Sequence, residues 1–511
     1  MYKLELEYTS EQEQRVIADF LSTELELQHH EISEREELLV SRCSEITECV
    51  FDGFDPSDIS PRHGPGSVAT GEVGPQKYAF KRKYAAIHRV YPYYRYYMVG
   101  GGRELLDRLD WYKSLEPCES GTAKVVLVPK DSRGPRLISC EPLEYQWIQQ
   151  GLGREIVRHL EDRNRLTRGQ INFRDQEINR KLALKSSLDK EYATLDLKDA
   201  SDRVSLSLVQ RVFCKNPRLL KALEACRTTA TKLPDGSTVS LLKYAPMGSA
   251  LCFPIEAYIF WVLIVAAIEQ STRLPLKDVA RKVFVYGDDI IVPTSWHLIA
   301  IGALERVGLK VNRQKCCTSG EFRESCGMDA YRGVCVTPSR AHTKWTRRYG
   351  DGACLVAYSA LANDLAKKGY IHAADFIRGE LAKTFGNLPY GTSRSSYPCI
   401  VCDDVFLCNE RNAALGIRKR ANKHCQRIEF QVLRVQNRKT LTELDSWPRL
   451  LRDMSLKRVD DPSHEVVPRS SKIKRGWAAA AELRKAQVCN PLGSSKKTCG
   501  LWRHVQSVAQ V

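Results

Sequence analysis

Between Leu251 and Ile268 the chain is almost wholly apolar, and a segment of that length and character either crosses a membrane or lies inside a large core. It carries Pro254 and Glu256, and an acid within a span is costly in lipid. No second apolar span accompanies it. The segment is therefore expected to be a buried core helix, with no membrane partner. A chain of 511 residues can bury such a core, as about two to four domains or one large multi-lobed enzyme. Its 43% hydrophobic and 27% charged residues exclude disorder as a description of the whole chain.

Shortly after this segment stands Tyr286-Gly287-Asp288-Asp289, between Lys282-Val283-Phe284-Val285 and Ile290-Ile291-Val292. Two apolar β runs joined by a short polar turn predict a hairpin. Its tip presents two adjacent carboxylates, which repel unless cations hold them together. Gly-Asp is also a common turn pair, so the string alone does not decide a role.

A second acidic cluster, Asp196-Leu197-Lys198-Asp199-Ala200-Ser201-Asp202, follows the predicted strand Tyr192–Leu195. Asp196 falls at the strand's end, and Asp202 falls near the start of the next helix, where it or Ser201 could serve as an N-cap. Two strands that each end in a carboxylate suit a two-metal phosphoryl-transfer site, because Mg²⁺ prefers carboxylate and phosphate oxygens. Two such ions about 3.5–4 Å apart activate the attacking hydroxyl and stabilise the leaving oxygen.

Positive charge complements these acids. Lys130, Arg133 and Arg136 recur every third residue around Gly134-Pro135, a loop that could clamp a triphosphate. Pro246-Met247-Gly248-Ser249-Ala250 opens the apolar helix, and its small residues allow close approach to a ligand. Overall, 78 Lys and Arg against 61 Asp and Glu give a net charge of +17. The charge is uneven: −12 over residues 1–60, +15 over 61–410 and +14 over 411–511. A basic body with a very basic tail fits a polyanion such as nucleic acid. The cation-flanked run Tyr91-Pro92-Tyr93-Tyr94-Arg95-Tyr96-Tyr97 could stack bases, although tyrosines are also ordinary strand residues.

The acidic head, roughly 11–50, has helical spacing, and the Pro- and Gly-rich residues 52–79 read as a linker. From about 190 to 340 short β runs alternate with helices, which predicts an α+β or α/β core. Beyond 350 helical patterns return, and the last hundred residues show few strand signals. The start, Met1-Tyr2-Lys3-Leu4-Glu5, lacks the basic and apolar regions of a secretory signal. With 18 cysteines, reduced thiols in a cytosol are expected.

Taken in order, the basic loop at 124–136, Asp196 to Asp202, Met247-Gly248-Ser249 and Tyr286-Gly287-Asp288-Asp289 resemble the right-hand RNA-dependent RNA polymerases of positive-strand RNA viruses. More narrowly, the chain resembles the catalytic replicase subunit of single-stranded RNA bacteriophages. That match rests on Asp175-Gln176 and Asn179, Ala200-Ser201-Asp202 and Phe322-Arg323-Glu324-Ser325-Cys326-Gly327, followed by Tyr331-Arg332-Gly333 and Val336-Thr337-Pro338. It covers about 120–340.

The resemblance implies an α+β right-hand fold. Fingers would occupy 1–190, including the acidic helical head and the basic nucleotide loop. The palm, an antiparallel sheet packed on helices, would occupy 191–345, and a mostly helical thumb with a basic extension 346–511. It implies that Asp196 and Asp288 bind two Mg²⁺ ions, which Mn²⁺ can replace, with Asp289 supporting. Lys130, Arg133 and Arg136 would neutralise the NTP triphosphate, and Asp202 would recognise the ribose 2′-hydroxyl. Gly248 and Ser249 would lie against template and nucleotide, and Lys315, near Asn312, is a candidate general acid for the leaving pyrophosphate. Phage replicases often carry Asn where this chain has Ser249. The implied activity is primer-independent RNA synthesis on an RNA template in the cytoplasm of a bacterial host. The implied partners are RNA, NTPs, host translation elongation factors Tu and Ts, and a ribosomal RNA-binding protein.

Three other readings compete. A reverse transcriptase shares the two-metal palm, but usually places a bulky aromatic after the first acid, where this chain has Leu197-Lys198-Asp199. A non-catalytic RNA-binding protein would suit the tail and the tyrosine run. Cys399-Ile400-Val401-Cys402, with Cys408 and His424 or Cys425, could hold zinc, against free thiols.

Overall fold

The computed structural model describes residues 7–30, 33–64, 66–341, 343–437, 446–455 and 471–480. The acidic head forms two helices, as its spacing predicts: α1 (Ser10–His29) and α2 (Glu34–Val50). Thr9 and Gln12 cap α1 reciprocally, at 3.3 and 3.1 Å. The expected basic loop is a β-hairpin, β1 (Thr122–Asp131) and β2 (Gly134–Cys140), with a register shift between Val128 and Asp131. Then come α3 (Leu143–Arg158), α4 (Glu177–Asp189), β3 (Tyr192–Leu195), β4 (Leu197–Lys198), α5 (Ala200–Arg203) and α6 (Leu206–Val212).

Strands β5 (Ala230–Lys232) and β6 (Thr238–Ser240) extend the β1–β2 hairpin into a four-stranded sheet of order β2-β1-β5-β6. The apolar segment becomes α7 (Cys252–Thr272), the one helix among the described residues long and apolar enough to cross a membrane. It is buried along nearly its whole length by protein. Pro254 sits in its first turn, where the missing N–H is not needed. Helix α2 packs along α7, and Arg42 binds Glu269 through two bonds of 2.7 and 2.8 Å.

Strands β7 (Phe284–Tyr286) and β8 (Asp289–Pro293) form the predicted hairpin. They join β3 in an antiparallel sheet of order β3-β8-β7. Helix α8 (His297–Arg306) packs on α7, and β9 (Lys310–Val311) pairs with β4. A three-stranded meander, β10 (Phe322–Ser325), β11 (Met328–Tyr331) and β12 (Val334–Cys335), lies against α4. One hydrophobic core, with members from Leu39 to Leu309, joins α2, α3, α6, α7, α8 and the β3-β8-β7 sheet, and α7 supplies residues to it from Cys252 to Ile268.

The tyrosine run belongs to this core. Tyr91, Tyr93 and Tyr97 are buried, and the Tyr93 and Tyr97 rings stack at 4.0 Å. The Tyr91 and Tyr97 hydroxyls donate to Pro56 O and Glu144 O, both at 3.0 Å. These rings are therefore not available to bases, and the sequence expectation is corrected; Tyr94 alone is well exposed. Arg95, the one cation within the run, is exposed beside Tyr94 on the short helix Tyr93–Tyr96, whose Tyr93 and Tyr96 are buried.

The described residues fall into two compact units. The first is built from the elements above, up to Thr337, together with 446–455. The second comprises 338–437 and 471–480. It holds α9 (Gly352–Lys367) and α10 (Ile371–Phe385), packed together, then α11 (Val405–Ala414). It also holds a short parallel pair, Tyr390–Gly391 with Ile400–Val401, and an antiparallel sheet, β13 (Lys419–Asn422), β14 (Arg427–Asn437) and β15 (Ser471–Ala478). The few strand signals expected there are thus corrected: cations at Arg427, Arg434, Lys472 and Lys474 break up the apolar alternation of Phe430, Val432 and Ile473. Buried Glu429 accepts Arg420 and Arg427 at 2.7 and 2.8 Å. Much of the tail's charge, including Arg438-Lys439 and Lys496-Lys497, lies outside the described residues.

Candidate active site

Strand register brings the acids together. Ile290 pairs with Leu195, and Asp289 with Tyr286. Antiparallel pairing then carries residue 289 opposite residue 196, so Asp196 and the Asp288-Asp289 tip leave the sheet at one end. The turn needs glycine: Gly287 has φ +62°, and a Cβ there would lie 2.1 Å from the Phe253 ring.

Each acid has a distinct environment. Asp196 Oδ2 accepts from Asn312 Nδ2 at 2.9 Å and lies 3.6 Å from Lys315 Nζ. Burial, reinforced by the charge of Asp196, pushes the Asp288 carboxyl above its usual range; Lys315 and Arg136 pull the other way. Burial also raises Asp289, opposed by the Cys326 N–H. Asp289 Oδ1 accepts from Cys326 N at 3.1 Å and Ser325 Oγ at 3.3 Å, and Asn179 Nδ2 donates to the Asp289 carbonyl at 3.1 Å. The meander and α4 thus fix Asp289, while Asp196 and Asp288 share the cations.

The three basic candidates separate. Arg136 acts on Asp288. Arg133, at the exposed hairpin tip, is bound by Asp131 at 2.7 and 3.1 Å. The Lys130 backbone N–H donates to the Tyr8 hydroxyl at 2.9 Å, and its side chain is exposed.

Gly248 is pressed on β2: Ser139 N donates to Met247 O at 2.8 Å, and a Cβ on Gly248 would lie 2.0 Å from Ser139 O. Ser249 Oγ accepts from Leu251 N at 3.3 Å, just ahead of α7. Asp202, on α5, binds the buried Lys243 at 2.8 Å. Residue 199, not Ser201 or Asp202, takes the cap position.

Sequence reasoning missed two residues here. Glu256 is buried on α7, and burial, with Asp288's charge added, pushes its carboxyl well above the usual range. Lys243 was passed over, although a lone lysine between Leu242 and Tyr244 was a signal for a buried ion pair.

Among the described residues no three His, Cys, Asp or Glu side chains gather as a ready metal centre. Around Cys399 and Cys402, Cys408 donates to the Cys402 carbonyl at 3.1 Å, and His424 and Cys425 lie in the β13–β14 turn. The pair Asp196 and Asp288 still fits Mg²⁺, which is usually bound by one or two carboxylates with substrate phosphates completing the shell.

These elements define a chain with paired strand-end carboxylates, backed by a buried helix and faced by cations. A family model described as "RNA replicase, beta-chain" matches residues 77–346, more than half of the 511, and the chain belongs to this family. It is 38% identical over 215 residues to the RNA-directed RNA polymerase subunit beta of Enterobacteria phage SP, covering 42% of this chain and 35% of that protein. It is 36% identical over 214 residues to the RNA-directed RNA polymerase beta chain of Escherichia phage MS2, covering 42% and 36%. With the corresponding chain of Enterobacteria phage GA it shares 30% identity over 298 residues, covering 57% and 51%. The match to the first of these relatives thus spans about a third of its length. A human picobirnavirus RNA-dependent RNA polymerase, an insertion-loop deletion mutant, aligns at a TM-score of 0.36 and 13% identity, over 52% of this chain and 58% of that one.

Proposed function

We propose that this chain is an RNA-dependent RNA polymerase that copies a viral RNA genome without a primer. The observation that carries the reading is the meeting of Asp196 and Asp288 at one end of the β3-β8-β7 sheet, with Arg136 and Lys315 close enough to act on Asp288. In this reading the sheet, with α4 and α7, is the palm of a right hand. The β2-β1-β5-β6 sheet belongs to the fingers, and the second unit is the thumb with its basic extension.

The reaction is attack of a nascent 3′-hydroxyl on the α-phosphate of an NTP, with release of pyrophosphate. Asp196 and Asp288 would hold two Mg²⁺ ions, or Mn²⁺, which when bound supply charge neutralisation and a more acidic attacking hydroxyl. Asn312 and Lys315 orient and balance Asp196. Asp289, bonded to Ser325 and Cys326, keeps the tip rigid. Arg136, with Lys130 and Arg133 at the hairpin end, neutralises the triphosphate. Gly248 and Ser249 form the surface on which the nucleotide and template lie, and Asp202 accepts the ribose 2′-hydroxyl. Lys315 protonates the leaving pyrophosphate. The substrates are an RNA template and NTPs. Elongation factors Tu and Ts and a ribosomal RNA-binding protein are the proposed host partners, in bacterial cytoplasm and away from membranes.

The test is RNA synthesis by the purified chain with NTPs, Mg²⁺ and an unprimed RNA. Product from the chain alone supports the reading, and product only after host lysate is added identifies required partners. Asp288→Asn is expected to abolish synthesis while RNA binding persists. No product under either condition overturns the reading.

A further inference from the structure

The acidic helix α1 reaches two parts of the site. At its start, Gln12 Nε2 donates to Ser132 O at 3.1 Å, and Arg15 donates to Arg133 O, both at the tip of the β1–β2 hairpin. Further along, Glu24 Oε2 accepts from Leu242 N at 2.6 Å, and Glu24 Oε1 lies 3.2 Å from Lys243 Nζ. The Lys243 ammonium has no exposure, sits 3.7 Å above the Phe20 ring, and donates to Asp202 Oδ1 at 2.8 Å. Two residues on, Glu26 binds Arg203 at 2.8 Å and Lys310 at 2.6 Å. Arg203 is the sequence neighbour of Asp202, and Lys310 lies on β9, opposite Lys198 of β4. The Asp202 side chain keeps 26% exposure.

A buried ammonium between two carboxylates and over an aromatic face has one low-energy position. Its bond to Oδ1 therefore fixes the rotamer of Asp202 and leaves the second oxygen to meet a ligand. We propose that Lys243 is a positioning residue for ribose recognition, and that α1, through Phe20 and Glu24, holds it in place. This rests on the reading that Asp202 accepts the 2′-hydroxyl of the NTP. The acidic head then serves nucleotide choice, not nucleic-acid binding.

The experiment compares KM and kcat for NTPs and 2′-deoxy-NTPs in the full chain. A polar contact to a substrate hydroxyl is a strong discriminator, so Lys243→Met is expected to raise the NTP KM about tenfold and to leave the dNTP KM nearly unchanged. Lys243→Arg, which keeps a donor, restores part of the preference. On an Asp202→Asn background Lys243→Met adds nothing, because residues acting through one contact are non-additive. Glu24→Gln gives a smaller shift in the same direction, and carries the test if Lys243→Met does not fold. The inference is overturned if Asp202→Asn shifts the preference and neither Lys243→Met nor Glu24→Gln does, or if the effects of Asp202→Asn and Lys243→Met simply add. A wild type that discriminates, with an indifferent Asp202→Asn, overturns the ribose reading of Asp202 itself. A wild type that makes no RNA even with host lysate overturns the polymerase reading.

Discussion

Asn312 grips Asp196 twice: its side-chain amide donates to Oδ2 at 2.9 Å, and its backbone N–H donates to the Asp196 carbonyl at 2.8 Å. The carboxylate is thereby turned, with one oxygen engaged and the other directed to the shared site. Asn312→Ala keeps the backbone bond and loses the orienting one. Stability should fall by about 1 kcal/mol, measured by urea denaturation. RNA synthesis should fall more, about tenfold in kcat, because misplacing a reacting group is costly.

Gly248 tolerates no side chain. A Cβ would lie 2.0 Å from Ser139 O, a backbone atom of β2 that cannot swing away, and φ is +129°. Gly248→Ala should destabilise the fold by roughly 3 kcal/mol and lower the denaturant midpoint. Should the protein still fold, NTP KM should rise.

Glu141 gives a pH signature away from the catalytic acids. It is wholly buried, and burial pushes its carboxyl up to about 8. Thr228 donates to Oε1 at 3.3 Å, while Oε2 has no hydrogen-bond partner. The folded chain thus holds a proton that the unfolded chain releases near its ordinary value of 4.5. The stability from that proton is fully present below the unfolded value and is lost as pH rises through the folded one. Melting temperatures from about pH 5 to about pH 9 should fall less steeply for Glu141→Gln than for wild type.

Lys315 lies 3.6 Å from Asp196 Oδ2 and is half exposed, so it can follow a leaving group. Lys315→Met should reduce kcat about a hundredfold with RNA affinity unchanged. A loss confined to NTP KM would assign it to charge balance alone.

The basic sheet β13-β14-β15 gives a measurement of its own. Lys472 and Lys474 are exposed on β15. Replacing both by alanine should lower the slope of log affinity for RNA against log salt by about 1–2. An unchanged slope would remove this sheet from the RNA-binding surface.

How much of this was legible follows from the range of each interaction. The Gly287 hairpin, the α7 core helix and the strand before Asp196 were readable because their signals are local: period, turn residues and length. The tyrosine run misled because aromatic rings beside cations look alike on a surface and in a core; only the packing of Tyr93 on Tyr97 decides it. Lys243 with Glu24, and Asp289 with Cys326, join residues far apart in sequence; the setting of Lys243 signals a buried charge, but no local pattern names the partner.

The reach of α1 also sets an order on how the protein comes into being. Its glutamates are made first, yet Arg203 and Lys310 follow Glu26 by 177 and 284 residues, and Lys243 follows Glu24 by 219. The ion pairs of α1 can therefore be complete only once β9, which carries Lys310, has been made. Such long-range closure is slow, so on a nascent chain the β3-β8-β7 sheet can exist before the last ion pair of α1 has formed.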